Sequence, residues 1–261
     1  MTSKKNWTMR AAVLMLALVL ITSCFVGGTF AKYVTSGSGS DTARVAKFGV
    51  QVSATDGGMF QTAYNADDTT TPGVITQTVK SSDSDKLVAP GTSEDNTSTF
   101  SIMGKPEVAV NVKLELAVNE EVFLKAGDYK DYTSSPYTGN FNLANNYYPV
   151  VFSLKKGGTE VASGNLNDIR NYLAGVSKAY EANTDLSTKF GTYTLSWKWD
   201  FDNSGAGTND KADTLLGNLA ADADTYKANG KWENNAFIDI NAGDFSTNID
   251  FTLKLSVTQI D

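Results

Sequence analysis

The chain has 261 residues, 41% apolar and 11% aromatic, which is enough to bury a core as one large domain. It contains no His and a single Cys, Cys24, which excludes Ser-His-Asp and Cys-His nucleophile systems, HExxH zinc proteases, disulfide frameworks and Cys-ligated metal clusters. A formal net charge of −7 makes nucleic acid and anionic membranes poor partners.

Residues 1–31 read as an export signal peptide. Lys4, Lys5 and Arg10 precede the apolar run Ala11–Ile21, which is shorter than the roughly 20 residues a membrane span needs. Cleavage after Ala31 places Thr29 and Ala31 at the small-residue positions and leaves Lys32 as the first mature residue. Ile21-Thr22-Ser23-Cys24 also resembles a lipobox, in which case Cys24 is acylated and holds the protein on the membrane. With cleavage at Ala31, membrane contact is confined to export. The remaining 230 residues carry 19 basic and 29 acidic side chains, a net charge of −10.

Residues 32–41 read as a flexible N-terminal arm. Lys32, Tyr33 and Val34 form an extended piece, and Thr35–Ser40 (TSGSGS) a hinge. Residues 42–261 read as one domain. Phe48, Val50 and Val52 alternate within a predicted strand Val45–Ser53. Two readings stand for this region. The arm and strand pair with an open sheet edge of a neighbouring copy, which repeated head to tail gives a filament. Otherwise Val45–Ser53 is the first strand of its own sandwich.

Further strands are predicted at Val74–Lys80 and Thr97–Met103. The strongest period-two pattern runs from Glu107 to Val118, with Val108, Val110, Val112, Leu114, Leu116 and Val118 on one face. Tyr148, Val150, Phe152 and Leu154 form another buried row; Tyr193, Leu195, Trp197 and Trp199 a third; and Ile249, Phe251, Leu253, Leu255 and Val257 a fourth. A weaker strand is predicted at Phe237–Asn241. One apolar face per strand predicts an all-β, antiparallel sandwich, jelly-roll-like, rather than a parallel α/β sheet. Two helices interrupt it. One carries Leu166, Ile169, Leu173, Val176 and Tyr180 at helical spacing, and the other Ala212, Leu215, Leu216 and Leu219.

Two segments have site-like composition. Asp128–Asn146 reads as a long loop rich in Tyr, Asn and Ser. Tyr129, Tyr132, Tyr137 and Tyr147 in and beside it suit a sugar or protein contact, or pack over the end of the core. Asp200, Asp202, Asn203, Asp210 and Asp213 cluster around glycine, as in a calcium loop. The twelfth position from Asp200 is Lys211, so a true EF-hand is excluded. An irregular calcium loop and an acidic turn capping a helix both remain. Calcium is the sole cofactor the sequence suggests. No catalytic residues are assigned and no enzyme activity is expected, because nothing local singles out a working pair among 29 acidic residues.

Gly27-Gly28-Thr29-Phe30-Ala31 followed by Lys32-Tyr33 and a Ser/Gly/Asp stretch is similar to signals processed by the SipW type of signal peptidase. Such signals precede members of the TasA and camelysin family of Gram-positive bacteria. Leu87-Val88-Ala89-Pro90-Gly91 ahead of the Phe100–Val118 strands, and the closing strand, resemble that family in pattern. The resemblance implies a secreted, jelly-roll-like β-sandwich of the cell surface or biofilm matrix that forms fibres by N-terminal donor-strand pairing. Its partners are then copies of itself and, during export, a SipW-type peptidase. The metallopeptidase label given to camelysins is not carried over, since a chain without His lacks the ligands. The alternative reading is a monomeric extracellular binding module, for glycan or protein, using the Tyr-rich loop.

Overall fold

The computed structural model describes residues 44–56, 58–65, 77–133, 136–137, 139–200 and 207–260. The segments predicted as a signal peptide and an N-terminal arm, residues 1–41, lie outside them.

Alternating side chains build the two principal sheets. In the strand β5 (Val110–Glu120), Val110, Val112, Leu114 and Leu116 are buried while Asn111, Lys113 and Glu115 face solvent. It stands between β11 (Lys178–Tyr180) and β16 (Asp250–Gln259) in a three-stranded antiparallel sheet. The larger sheet has five strands in the order β1 (Gln51–Asp56), β4 (Thr92–Met103), β12 (Thr192–Trp199), β9 (Val150–Lys156) and β10 (Thr159–Gly164). Its neighbours all pair antiparallel. The inner faces meet in one core. Phe152 of the larger sheet and Phe251 of the smaller stand edge to face, 6.0 Å apart, and Phe100 stacks on Tyr193 at 5.3 Å. An all-β sandwich, as the strand periodicities require, is the result.

Four helices are described. The first, α1 (Leu166–Val176), starts at a capping box in which Asn165 and Asp168 each accept the other's backbone N–H at 3.1 Å. It buries Leu166, Ile169 and Leu173 over β5, β9 and β10. The predicted helix extended to Tyr180, but α1 ends at Val176. Lys178–Tyr180 instead pairs with Val110–Val112 of β5 as strand β11, with Tyr180 buried against the core. A short helix α2 (Leu186–Lys189) follows, capped by Asp185. Helix α3 (Thr208–Ala221) buries Ala212, Leu215, Leu216 and Leu219, and α4 (Ala223–Lys227) is capped by Asp222.

Smaller pairings surround this frame. The segment predicted as a Tyr-rich loop contains a hairpin, β7 (Gly127–Lys130) with β8 (Asn140–Leu143). These join β13 (Lys231–Glu233) and β14 (Ala236–Ile238) in a four-stranded sheet. The strands β6 (Phe123–Leu124) and β15 (Phe245–Ser246) pair with each other, as do β2 (Ala63–Asn65) and β3 (Gln77–Lys80).

Candidate functional site

The unequal strand count of the two principal sheets leaves one flank of the sandwich only partly covered among the described residues. At the far flank, α1 lies over β9, β10 and β5. At the near flank the larger sheet ends in β1 and the smaller in β16, and neither strand has a partner on its outer side among the described residues. A strand with free N–H and C=O groups along one edge is a template for another extended chain.

Side-chain burial shows how open this flank is. Residues opposite each other in an antiparallel pair share a face. Val52 pairs with Ile102 and Ala54 with Phe100. Ile102 and Phe100 are buried, but Val52 is 42% exposed and Ala54 is exposed too. The same asymmetry holds across the gap. Phe251, Leu253 and Leu255 of β16 pair with Val118, Leu116 and Leu114, and the β16 members are only half-buried although Leu114 and Leu116 are buried.

Between these edges lies a cleft of about 500 Å³, bounded by Ala54, Phe100, Leu195, Phe251 and Leu253. The segment Met59–Tyr64 closes part of it. Trp197 Nε1–H donates to the Met59 carbonyl at 2.6 Å, and Phe60 lies 5.4 Å from the Trp197 ring and 6.5 Å from Phe251. The Tyr64 hydroxyl donates to the Leu87 carbonyl at 2.9 Å and accepts from the Gln61 N–H at 3.1 Å. Burial pushes its phenol above the ordinary tyrosine value, partly offset by that Gln61 bond. The cleft therefore offers apolar side chains, a few hydroxyls and a strand edge with no ladder partner among the described residues, with Asp250 and Lys86 at its walls.

Of the predicted assembly residues, Lys32, Tyr33 and Val34 lie outside the described residues, as do the cleavage positions Thr29 and Ala31. Phe48 is 41% exposed, Val50 packs against the core, and Val52 belongs to β1, paired within its own sheet. That strand begins at Gln51, later than the predicted Val45. Residues 47–50 run instead beside 104–107, where Lys47 and Glu107 exchange two hydrogen bonds of 2.8 and 2.9 Å.

The Tyr-rich set divides. Tyr129 is fully buried and its hydroxyl donates to the Lys125 carbonyl at 2.9 Å, which withdraws it from any binding surface and corrects its place in that set. Burial is also what raises its phenol far above the ordinary value. Tyr147 turns inward and donates to Asp213 at 2.9 Å. Tyr132 is half-buried between Tyr137, at 5.4 Å, and Tyr226, at 5.1 Å, and Tyr137 is 45% exposed.

The acidic segment is likewise engaged at its ends. Asp200 is salt-bridged to Lys198 at 2.7 Å, Asp210 sits in the first turn of α3, and Asp213 holds the Tyr147 hydroxyl. Asp202 and Asn203 fall outside the described residues. Among the described residues no three acidic, His or Cys side chains gather as a metal group, and no helix is long and apolar enough to cross a membrane. Sequence reasoning missed the incomplete flank, because periodicity reports which face of a strand is buried and not which strands are neighbours.

No family model matches the chain, and no curated protein or solved structure matches it.

Proposed function

We propose that this protein is a secreted structural protein of the extracellular matrix or cell surface, and that it self-assembles by strand pairing at the open flank. The observation carrying this reading is the half-covered inner face shared by β1 and β16. An extended segment hydrogen-bonded to the outer edge of β16 would cover Leu253 and Val52 and satisfy a row of backbone groups at once. The occupant is the arm 32–41 of a second copy. Its ten residues match the ten of β16 in length, and Tyr33 and Val34 supply apolar side chains. A donor and an acceptor on different parts of one chain give a head-to-tail contact, which propagates as a filament rather than closing as a dimer. The absence of His and the apolar lining of the flank support a mechanical role over a catalytic one. The resemblance of the N-terminal segment to SipW-processed signals, and of the strand pattern to that of the TasA and camelysin family, points the same way.

The test is truncation. Protein lacking Lys32–Ser40 is compared with the intact chain by size-exclusion chromatography and negative-stain microscopy. Filaments or laddered oligomers from the intact chain and monomers from the truncated one support the reading. Filaments from both overturn the donor arm.

A further inference from the structure

The open flank has two distinct ends. At one of them β16 starts at Asp250, whose partner across the ladder is Glu120 of β5. Both side chains are exposed, and like charges directly opposite in an antiparallel pair are destabilising. Asp250 accepts the Asn119 amide at 3.0 Å, which offsets no charge, and neither acid is salt-bridged among the described residues. A second cleft, of about 570 Å³, adjoins the pair, with Asn119 and Glu120 in its lining. Phe123, Tyr148 and Phe245, all half-buried, give it an apolar wall, and no basic side chain lines it among the described residues.

At the other end the chain enters the domain. The Ile260 N–H, just past β16, donates to the Ala109 carbonyl, and close by Glu107 and Lys47 exchange their two hydrogen bonds. Immediately before this point Arg44 is exposed and Val45 is 90% exposed. A cation and an apolar side chain in water are what an acidic, ring-walled cleft takes up. Covalent reach keeps them from the cleft of their own subunit. β16 has ten residues, so its ends lie roughly 30 Å apart. Arg44 precedes Lys47 by three residues, so its backbone reaches no more than about 11 Å from it. An extended guanidinium does not make up the difference.

We infer that Arg44 and Val45 dock in this cleft on the next copy of the chain, Arg44 against the Glu120–Asp250 pair and Val45 against the wall of Phe123, Tyr148 and Phe245. The inference rests on the strand-pairing reading and gives it a direction. The arm preceding Arg44 then lies along the neighbour's β16 with Asp41 toward Asp250 and Lys32 toward Gln259, antiparallel to that strand. The arm leaves one end of its own subunit and enters the opposite end of the next, so the contact repeats head to tail. The reverse direction joins like ends and closes a two-fold dimer.

The test is a charge exchange in the intact chain, followed by sedimentation velocity over a range of concentrations and by negative-stain microscopy. Arg44→Glu alone, and Glu120→Arg with Asp250→Arg, should each raise the concentration needed for assembly by about tenfold. All three changes in one chain bring opposite charges together again and should restore assembly to within about threefold of the intact protein. The positions are exposed, so thermal melts of every variant should match the intact chain. Assembly that depends on Lys32–Ser40 but ignores the single reversals, or is not regained in the triple exchange, overturns the docking and leaves the arm reading in place. Closed dimers in place of filaments overturn the direction. Assembly that obeys the charge exchange but survives deletion of Lys32–Ser40 overturns the arm reading and keeps the docking. An intact chain that stays monomeric at every concentration overturns both.

Discussion

Val52 and Ile102 face each other across β1 and β4 on the same side of the sheet, yet Ile102 is fully buried and Val52 is 42% exposed. β16, at the edge of the smaller sheet, comes near β1 but forms no hydrogen-bonded ladder with it. An apolar side chain on the core-facing side of a strand, left in water, is a position where a missing strand is marked by the protein itself.

Val52→Asp separates assembly from folding. Val52 is on an edge strand and largely in solvent, so the change should alter stability by less than about 0.5 kcal/mol. A carboxylate on the face that an incoming strand must cover should abolish oligomers. Thermal melting and analytical ultracentrifugation read the two effects separately.

Gly104 fixes the approach to this flank. Its φ is +121°, and a Cβ there would lie 2.2 Å from the Gly49 carbonyl oxygen. Gly104→Ala should cost about 1–3 kcal/mol through strain and displacement of residues 47–50. Gly157, at φ +55° in a hairpin turn with open space around it, gives a comparison that should cost about 1 kcal/mol. Chemical denaturation of both variants checks the order.

Tyr129 and Tyr137 belong to one Tyr-rich stretch but differ in role. Tyr129→Ala empties a fully buried position and should destabilise by about 3–5 kcal/mol. Tyr137→Ala removes an exposed ring and should change stability by less than about 0.5 kcal/mol. Paired melts of the two variants read the difference.

Glu121 gives the protein a pH signature. Burial pushes its carboxyl above the ordinary glutamate value, against the pull of the Leu166 N–H, with Asp168 adding to the rise. The folded state therefore binds this proton more tightly than the unfolded chain does. Stability from this group is present at low pH and is lost as pH rises through the folded value. Asp244 acts in the opposite sense. Burial alone would raise it, but the bond from Lys231 at 3.1 Å and the charge of Lys125 hold it below the ordinary value, so its contribution is lost as pH falls. Glu121→Gln should raise the melting temperature at neutral pH, and this gain should vanish toward about pH 4. Melts across this range measure the difference.

Much of the sandwich was legible because a strand buried on one face writes period two into its sequence. Residues Glu107–Val118, Tyr193–Trp199 and Ile249–Val257 all became principal strands on that signal. β1 was placed six residues early, because Phe48 and Val50 carry the alternation of Val52 back past Gln51, although residues 47–50 run beside 104–107 instead. The hairpin of β7 and β8 was taken for loop. Its four-residue strands are short, although Phe141 and Leu143 alternate with Asn140 and Asn142. Lys178–Tyr180 was absorbed into the preceding helix because Tyr180 falls at helical spacing, while Ser177 ends the helix and bonds to β5 instead. Neither cleft was visible. Glu121 is one of 29 acidic residues, and its burial arises from where β5 ends and α1 begins.

Amide hydrogen exchange along Asp250–Gln259, compared between dilute monomer and concentrated protein, tests the open flank most directly. Strand pairing by a second copy requires exchange in this strand to slow as oligomers form, and to stay fast at every concentration once Lys32–Ser40 is deleted. Oligomers that form while the exchange of Asp250–Gln259 is unchanged would contradict the account.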